Sequence, residues 1–141
     1  MAVKVAINGF GRTGRSILRA CAGRGDIEVV AVNSRAKTSI LAHLLKYDSV
    51  HGKFGATLSH GEDHLLIGGK KVTVTNETKN IGSLPWGTMG VDIVLESTGV
   101  FRKRDQIAGH LTAGARKVIL AAPVVVGTMD RAAARARRRS L

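Results

Sequence analysis

Apolar residues recur along this chain in two rhythms. Nearly unbroken β-type runs occupy residues 3–7, 27–32, 91–97 and 117–121, the pattern of strands covered on both faces. Residues 15–22 and 38–46 read as helices, the second with Leu41, Leu44 and Leu45 at helical spacing and Thr38 or Ser39 as its cap. Shorter strands are expected at residues 56–59, 64–67 and 70–75, with Gly68-Gly69 as a two-residue hairpin turn. Residues 80–90 read as a loop punctuated by Pro85-Trp86-Gly87, in which Trp86 is a packing anchor. A last helix fits residues 104–113, stopped by Gly114, and Pro123 closes the final strand. No long internal repeat interrupts this order.

The junction of the first strand and first helix carries the candidate chemistry: Asn8-Gly9-Phe10-Gly11-Arg12-Thr13-Gly14, a G-x-G-x-x-G pattern. Among 17 glycines such a triplet alone marks little more than turns. Here it ends a strand, opens a helix and is followed by a second strand, which is one βαβ unit. Gly9 then serves a tight turn, Gly11 lets the backbone approach a pyrophosphate, and Gly14 lets helix and strand pack closely. The unpaired amides of the helix start face the phosphates. The fold class that follows is α/β, a Rossmann-like doubly wound, mostly parallel sheet with an antiparallel hairpin insertion. In such a sheet ligands collect outside the carboxyl ends of the strands, so the loops at residues 8–14, 33–35 and 97–101 should converge, with the turn after Ala121 as a fourth.

At 141 residues the chain suits one domain with a proper core. We divide it into a dinucleotide-binding domain at residues 1–123 and an atypical Ala/Arg-rich tail at 124–141. No stretch reaches the length of a membrane span, and the N-terminus lacks a secretory signal pattern, so a soluble cytoplasmic protein is expected. The single cysteine, Cys21, excludes an intramolecular disulfide and reads as a buried packing residue. His43 reads as a packing or surface histidine, because no second ligand stands at metal-site spacing. The net charge of +12 raises nucleic acid as a partner. The tail, with five arginines against one aspartate, supplies +4 of it, and basic residues are not interleaved with aromatics as base stacking requires. A solvated tail is the simpler reading, and an RNA-holding arm is the alternative of another class.

Five blocks together resemble the cofactor-binding half of the glyceraldehyde-3-phosphate dehydrogenase family. They are Lys4-Val5-Ala6-Ile7-Asn8-Gly9-Phe10-Gly11-Arg12, Val29-Val30-Ala31-Val32-Asn33, Leu45-Lys46-Tyr47-Asp48-Ser49-Val50-His51-Gly52, Glu96-Ser97-Thr98-Gly99-Val100-Phe101 and Gly114-Ala115-Arg116-Lys117-Val118-Ile119-Leu120. The third block is far more specific than the glycine motif. The resemblance implies a domain binding a nicotinamide dinucleotide, which in the family serves oxidation of an aldehyde phosphate to an acyl phosphate, usually in a homotetramer. It also implies that Asn8, Gly9, Phe10, Gly11, Arg12, Thr13 and Gly14 form the pyrophosphate loop, with Thr13 in place of the usual isoleucine. Asn33 falls beside the adenine ribose, and Lys79 near where the family often places an arginine by the adenine. Ser97, Thr98, Gly99 and Phe101 line the crevice, and Ala121 stands where a serine is usual.

Two departures shape the expectation. Where NAD-preferring members place an aspartate after the second strand, this chain has Ser34 followed by Arg35, so NAD is the expected cofactor and NADP is admitted as well. After Pro123 the family continues into a catalytic domain with a Ser-Cys-Thr-Thr-Asn segment and a later histidine base, neither of which residues 124–141 match. Hydride transfer from an aldehyde needs that thiolate and base. Cys21 lies behind the pyrophosphate loop and His51 belongs to the third block, so no catalytic residue and no metal site is assigned. The expectation is a cofactor-binding portion that does not catalyse alone. A portion of an erythrose-4-phosphate dehydrogenase fits these residues equally, because substrate selection lies in the other domain.

Overall fold

The computed structural model describes residues 2–49, 52–101 and 103–121. The tail at 124–141, Pro123 and His51 lie outside them. Seven strands form the main sheet: β1 (Val3–Asn8), β2 (Ile27–Asn33), β5 (Leu58–His60), β6 (His64–Ile67), β7 (Lys70–Thr75), β8 (Ile93–Glu96) and β9 (Lys117–Leu120). Their order is β5-β6-β7-β2-β1-β8-β9. The neighbours from β7 to β9 run parallel, and β6 is antiparallel to both β5 and β7. The expected antiparallel insertion is therefore the β5–β6 edge, while β7 joins the parallel body. Gly68 and Gly69 turn the β6–β7 hairpin with φ of 58° and 81°, the left-handed pair that a tight two-residue hairpin needs.

Helix α1 (Arg12–Cys21) crosses from β1 to β2, and α2 (Thr38–Lys46) follows β2. Successive residues on a strand point to opposite faces, and both faces are covered. Ile7 and Val32 pack on one side with Leu18 of α1 and Leu41 and Leu45 of α2. Ala6 and Ala31 pack on the other with Trp86, Val91 and Val94. Trp86 is fully buried, as its reading as an anchor requires.

Several elements differ from the sequence expectation. Helix α1 starts at Arg12, three residues before the expected start, which places Gly14 inside its first turn. The single helix expected at 104–113 is two four-residue pieces, α3 (Arg104–Ile107) and α4 (Gly109–Thr112), broken where Gly109 packs tightly on Ile81. The loop at 80–90 includes a 3-10 turn at Ile81–Ser83. A two-stranded ribbon, β3 (Tyr47–Asp48) with β4 (Gly52–Lys53), follows α2, too short for period-two patterning to show. Cys21 is half-buried rather than buried, and burial raises its thiol pKa. His43 is exposed, its ring 5.0 Å from that of Tyr47.

Candidate functional site: the crevice at the carboxyl ends of the central strands

The three central strands end in register. Asn8 pairs with Asn33 on one side and with Glu96 on the other, so the last residues of β1, β2 and β8 lie in one row. The chain leaves β1 through Gly9, whose φ of 91° only glycine adopts freely and whose added Cβ would stand 2.8 Å from Thr98. The Gly9 amide donates to the Asn33 carbonyl at 2.9 Å. The Ser97 hydroxyl donates to the Gly9 carbonyl at 2.7 Å and lies 3.1 Å from that of Asn8, tying the β8 loop to the glycine loop.

The three glycines have separate positions. Phe10 is buried in the first core and its carbonyl accepts from Arg15 Nη1 at 3.0 Å, which anchors the loop between Gly9 and Gly11. Gly11 caps α1 and has no heavy atom within 4 Å of where a Cβ would sit. Gly14 is its opposite: an added Cβ would lie 2.3 Å from the Gly9 carbonyl oxygen. The start of α1 receives no side-chain cap and holds no acidic residue in its first turn, and Arg12 and Thr13 are exposed beside it. A helix start of this kind presents free amides and the positive end of the helix dipole to an anion.

At the end of β2, the Ser34 amide donates to the Thr75 carbonyl at 2.9 Å, and the Ser34 hydroxyl accepts from the Ala36 amide at 3.3 Å. Arg35 and Lys37 are exposed at this edge. Glu77 closes the neighbouring turn: its carboxylate accepts from the backbone amides of Lys79 at 2.7 Å and Asn80 at 3.0 Å. The Asn80 and Lys79 amides hold that carboxyl below its ordinary value. Lys79 is exposed on the same turn. On the β8 side, Gly99 turns the loop with φ of 73°, half-buried Phe101 packs on the second core, and the Ala121 amide donates to the Glu96 carbonyl at 2.9 Å. The three loops named from the sequence and the turn at Ala121 thus meet at one end of the sheet.

Beneath the crevice lies a buried polar row that the sequence reading did not assign. Asn33 Nδ2 donates to Asn8 Oδ1 at 2.8 Å, and Asn8 Nδ2 donates to Glu96 Oε2 at 2.6 Å. His110 Nε2 meets the same Glu96 oxygen at 2.7 Å, and the Trp86 indole N–H donates to His110 Nδ1 at 3.1 Å. Glu96 Oε1 accepts from the Thr98 amide at 3.1 Å and the Thr98 hydroxyl at 2.5 Å. Burial pushes the Glu96 carboxyl pKa up, and the hydrogen bonds from His110, Thr98 and Asn8 outweigh it, so the net shift is downward. The side chains of Asn8 and Asn33 are thus spent inside the protein. A signal for this row was present: an acid in an otherwise apolar strand run must find partners when buried.

A separate hollow lies away from the crevice. A cavity of about 400 Å³ lies toward the other end of β2, lined by Leu18, Cys21, Ile27, Val29, Ile67 and Val72 among others. Among the described residues no cluster of His, Cys, Asp or Glu could hold a metal, and no helix is long and apolar enough to cross a membrane.

A sheet whose strand order reverses at β1, with a glycine turn opening a helix at that reversal, defines a doubly wound dinucleotide-binding domain. Comparison with known proteins gives the same class and narrows it. The family model described as glyceraldehyde 3-phosphate dehydrogenase, NAD binding domain, matches residues 3–104. The chain is 55% identical over 123 residues to a glyceraldehyde-3-phosphate dehydrogenase of Geobacillus stearothermophilus, covering 87% of this chain and 36% of that protein. A Bacillus subtilis relative named glyceraldehyde-3-phosphate dehydrogenase 1 is 53% identical over the same coverage. One from Streptomyces coelicolor is 48% identical over 124 residues, 87% of this chain and 37% of its own. The chain belongs to the glyceraldehyde-3-phosphate dehydrogenase family, matching its NAD-binding domain, and spans little more than a third of the length of these relatives.

Proposed function

We propose that this chain holds NAD in the crevice formed by Gly9–Gly14, Asn33–Arg35 and Ser97–Phe101. The observation that carries the proposal is the contrast between two glycines of one motif: Gly14 is jammed against the Gly9 carbonyl, whereas Gly11 faces open space at an uncapped helix start. Packing explains Gly14. No packing contact in the protein requires a missing side chain at Gly11, and close approach of a diphosphate to the backbone accounts for it.

In this reading the amides of Gly11, Arg12 and Thr13 and the start of α1 hold the pyrophosphate, with Arg12 beside it. Asn8, Phe10 and Asn33 act from inside: their side chains fix the loops, and their backbone shapes the wall. Ser34, Arg35 and the more distant Lys79 border the adenine ribose. Thr98, Gly99, Phe101 and Ala121 form the opposite wall. The dinucleotide, when bound, supplies the hydride acceptor, and these residues only bind and orient it.

NADP is accommodated as well. With Ser34 at the position after Asn33 and Arg35 exposed beside it, the residue that follows Asn33 brings no carboxylate to repel a 2′-phosphate. The chain is the cofactor-holding part of an enzyme that oxidises an aldehyde phosphate, and binds without turnover when alone. Thermal unfolding of the 141-residue chain tests this: NAD and ADP-ribose raise the midpoint in a concentration-dependent way, as ligands of the native state must. An unchanged midpoint in saturating NAD contradicts the proposal.

A further inference from the structure

Glu96 is the common acceptor of a donor chain that reaches it from both sides of the fold. The indole nitrogen of Trp86 only donates, so at 3.1 Å it requires an unprotonated His110 Nδ1. In the neutral ring the proton then sits on Nε2 and is donated to Glu96 Oε2. With Nε2 so protonated, the 3.3 Å approach of Asn8 Nδ2 to it joins two donors and is no hydrogen bond. From the other side, Asn33 donates to Asn8 and Asn8 to Glu96. Adding the Thr98 amide and hydroxyl, the carboxylate takes four donors, its full complement.

The consequence lies at Thr98. Its hydroxyl donates to Glu96 and accepts from the Val100 amide at 3.2 Å, so the carboxylate fixes the first turn of the 97–101 wall. The same carboxylate fixes Asn8, which carries Asn33 and through it the Thr75 hydroxyl and Glu77 amide of the adenine-side wall. Both walls thus hang on one acid, none of whose side chain reaches solvent.

We infer that Glu96 and His110 are positioning residues for the crevice: Glu96, its donors aligned by the Trp86–His110 hydrogen bond, holds the two walls at the separation the dinucleotide needs, and Trp86 registers occupancy through the same chain. This rests on the NAD-binding reading. Glutamine at 96 has one acceptor oxygen and an amide group that cannot accept. Turned toward His110 and Asn8, that group faces two donors; turned toward the Thr98 amide and hydroxyl, it again faces two.

The test uses the chain's single tryptophan, whose indole ¹⁵N–¹H resonance reports the Trp86–His110 hydrogen bond. In the parent chain NAD shifts this resonance. In Glu96→Gln the NAD dissociation constant rises about tenfold or more, and the resonance no longer responds to NAD. A dissociation constant within about twofold of the parent's, or a parent resonance blind to saturating NAD, overturns the inference. Should Glu96→Gln not fold, Thr98→Val removes one donor from the same carboxylate at a half-exposed site. It displaces the free-state indole resonance, whereas Thr98→Ser leaves it in place. This second arm needs no cofactor, so it separates failure of the relay from failure of NAD binding; an indole resonance unmoved by Thr98→Val overturns the relay.

Discussion

His110 Nε2 lies 2.7 Å from Glu96 Oε2, and neither side chain has any exposed surface. Because the net effect of this environment is to lower the Glu96 pKa in the folded state, the unfolded chain takes up a proton first as the solution is acidified. The contribution of the carboxylate is complete above its ordinary value of 4.5 and is lost as pH falls through the lower folded value. Urea midpoints measured from pH 7 downward therefore decline below pH 4.5 in the parent, and this part of the decline is missing in Glu96→Gln.

Gly11→Ala and Gly14→Ala separate cofactor binding from folding. At Gly14 the new methyl meets the Gly9 carbonyl and the helix must shift, costing about 1–3 kcal/mol or more of stability in chemical denaturation. At Gly11 the methyl meets nothing and only the poorer N-cap costs stability, about 0.5–1 kcal/mol, so the urea midpoint falls less than at Gly14 while NAD affinity falls. Equal effects of the two substitutions on both measurements contradict the separate roles.

Ser34→Asp restores an acidic group after β2. Competition binding is expected to show NADP weakened by about tenfold or more relative to NAD, because the new carboxylate repels a 2′-phosphate and accepts from a 2′-hydroxyl. Arg35→Ala lowers NADP affinity and leaves NAD affinity nearly unchanged. Preference for NAD that is already strong in the parent and unmoved by Ser34→Asp removes Ser34 from any part in selection.

Arg19 carries stability without touching the crevice. Its guanidinium donates to the carbonyls of Leu45 at 2.7 and 3.2 Å, Lys46 at 3.3 Å and Gly52 at 2.9 Å, and stands 5.2 Å from the centre of the Phe54 ring. It thereby closes the end of α2 and joins the β3–β4 ribbon to α1. Arg19→Ala costs about 1.5–3 kcal/mol by urea denaturation, the range for hydrogen bonds to a charged group.

The parallel body of the sheet was legible because β1, β2, β8 and β9 are largely apolar runs, and the antiparallel β6–β7 hairpin because Gly68-Gly69 is unambiguous turn chemistry. The crevice was legible because the glycine triplet fell between a strand and a helix. Helix α1 starts three residues before the pattern predicts, since Thr13 and Gly14 have poor helix propensity and tertiary packing overrides it. The break between α3 and α4 is not legible, because a lone glycine such as Gly109 in the middle of a helical pattern is tolerated. Glu96 and His110 were absorbed into a strand and a helix by their apolar neighbours. Only the fold shows that residues 14 positions apart in sequence, with Asn8 and Trp86, complete one another's hydrogen bonds.

The central claim is that the open amides at Gly11 and the start of α1 receive a nicotinamide dinucleotide. Isothermal titration calorimetry of the folded 141-residue chain with NAD tests it most directly. The account predicts a saturable one-to-one isotherm with a dissociation constant of about 1 mM or tighter, weakened by Gly11→Ala. A chain that is folded by circular dichroism and gives no binding heat with NAD at about five times that concentration contradicts it.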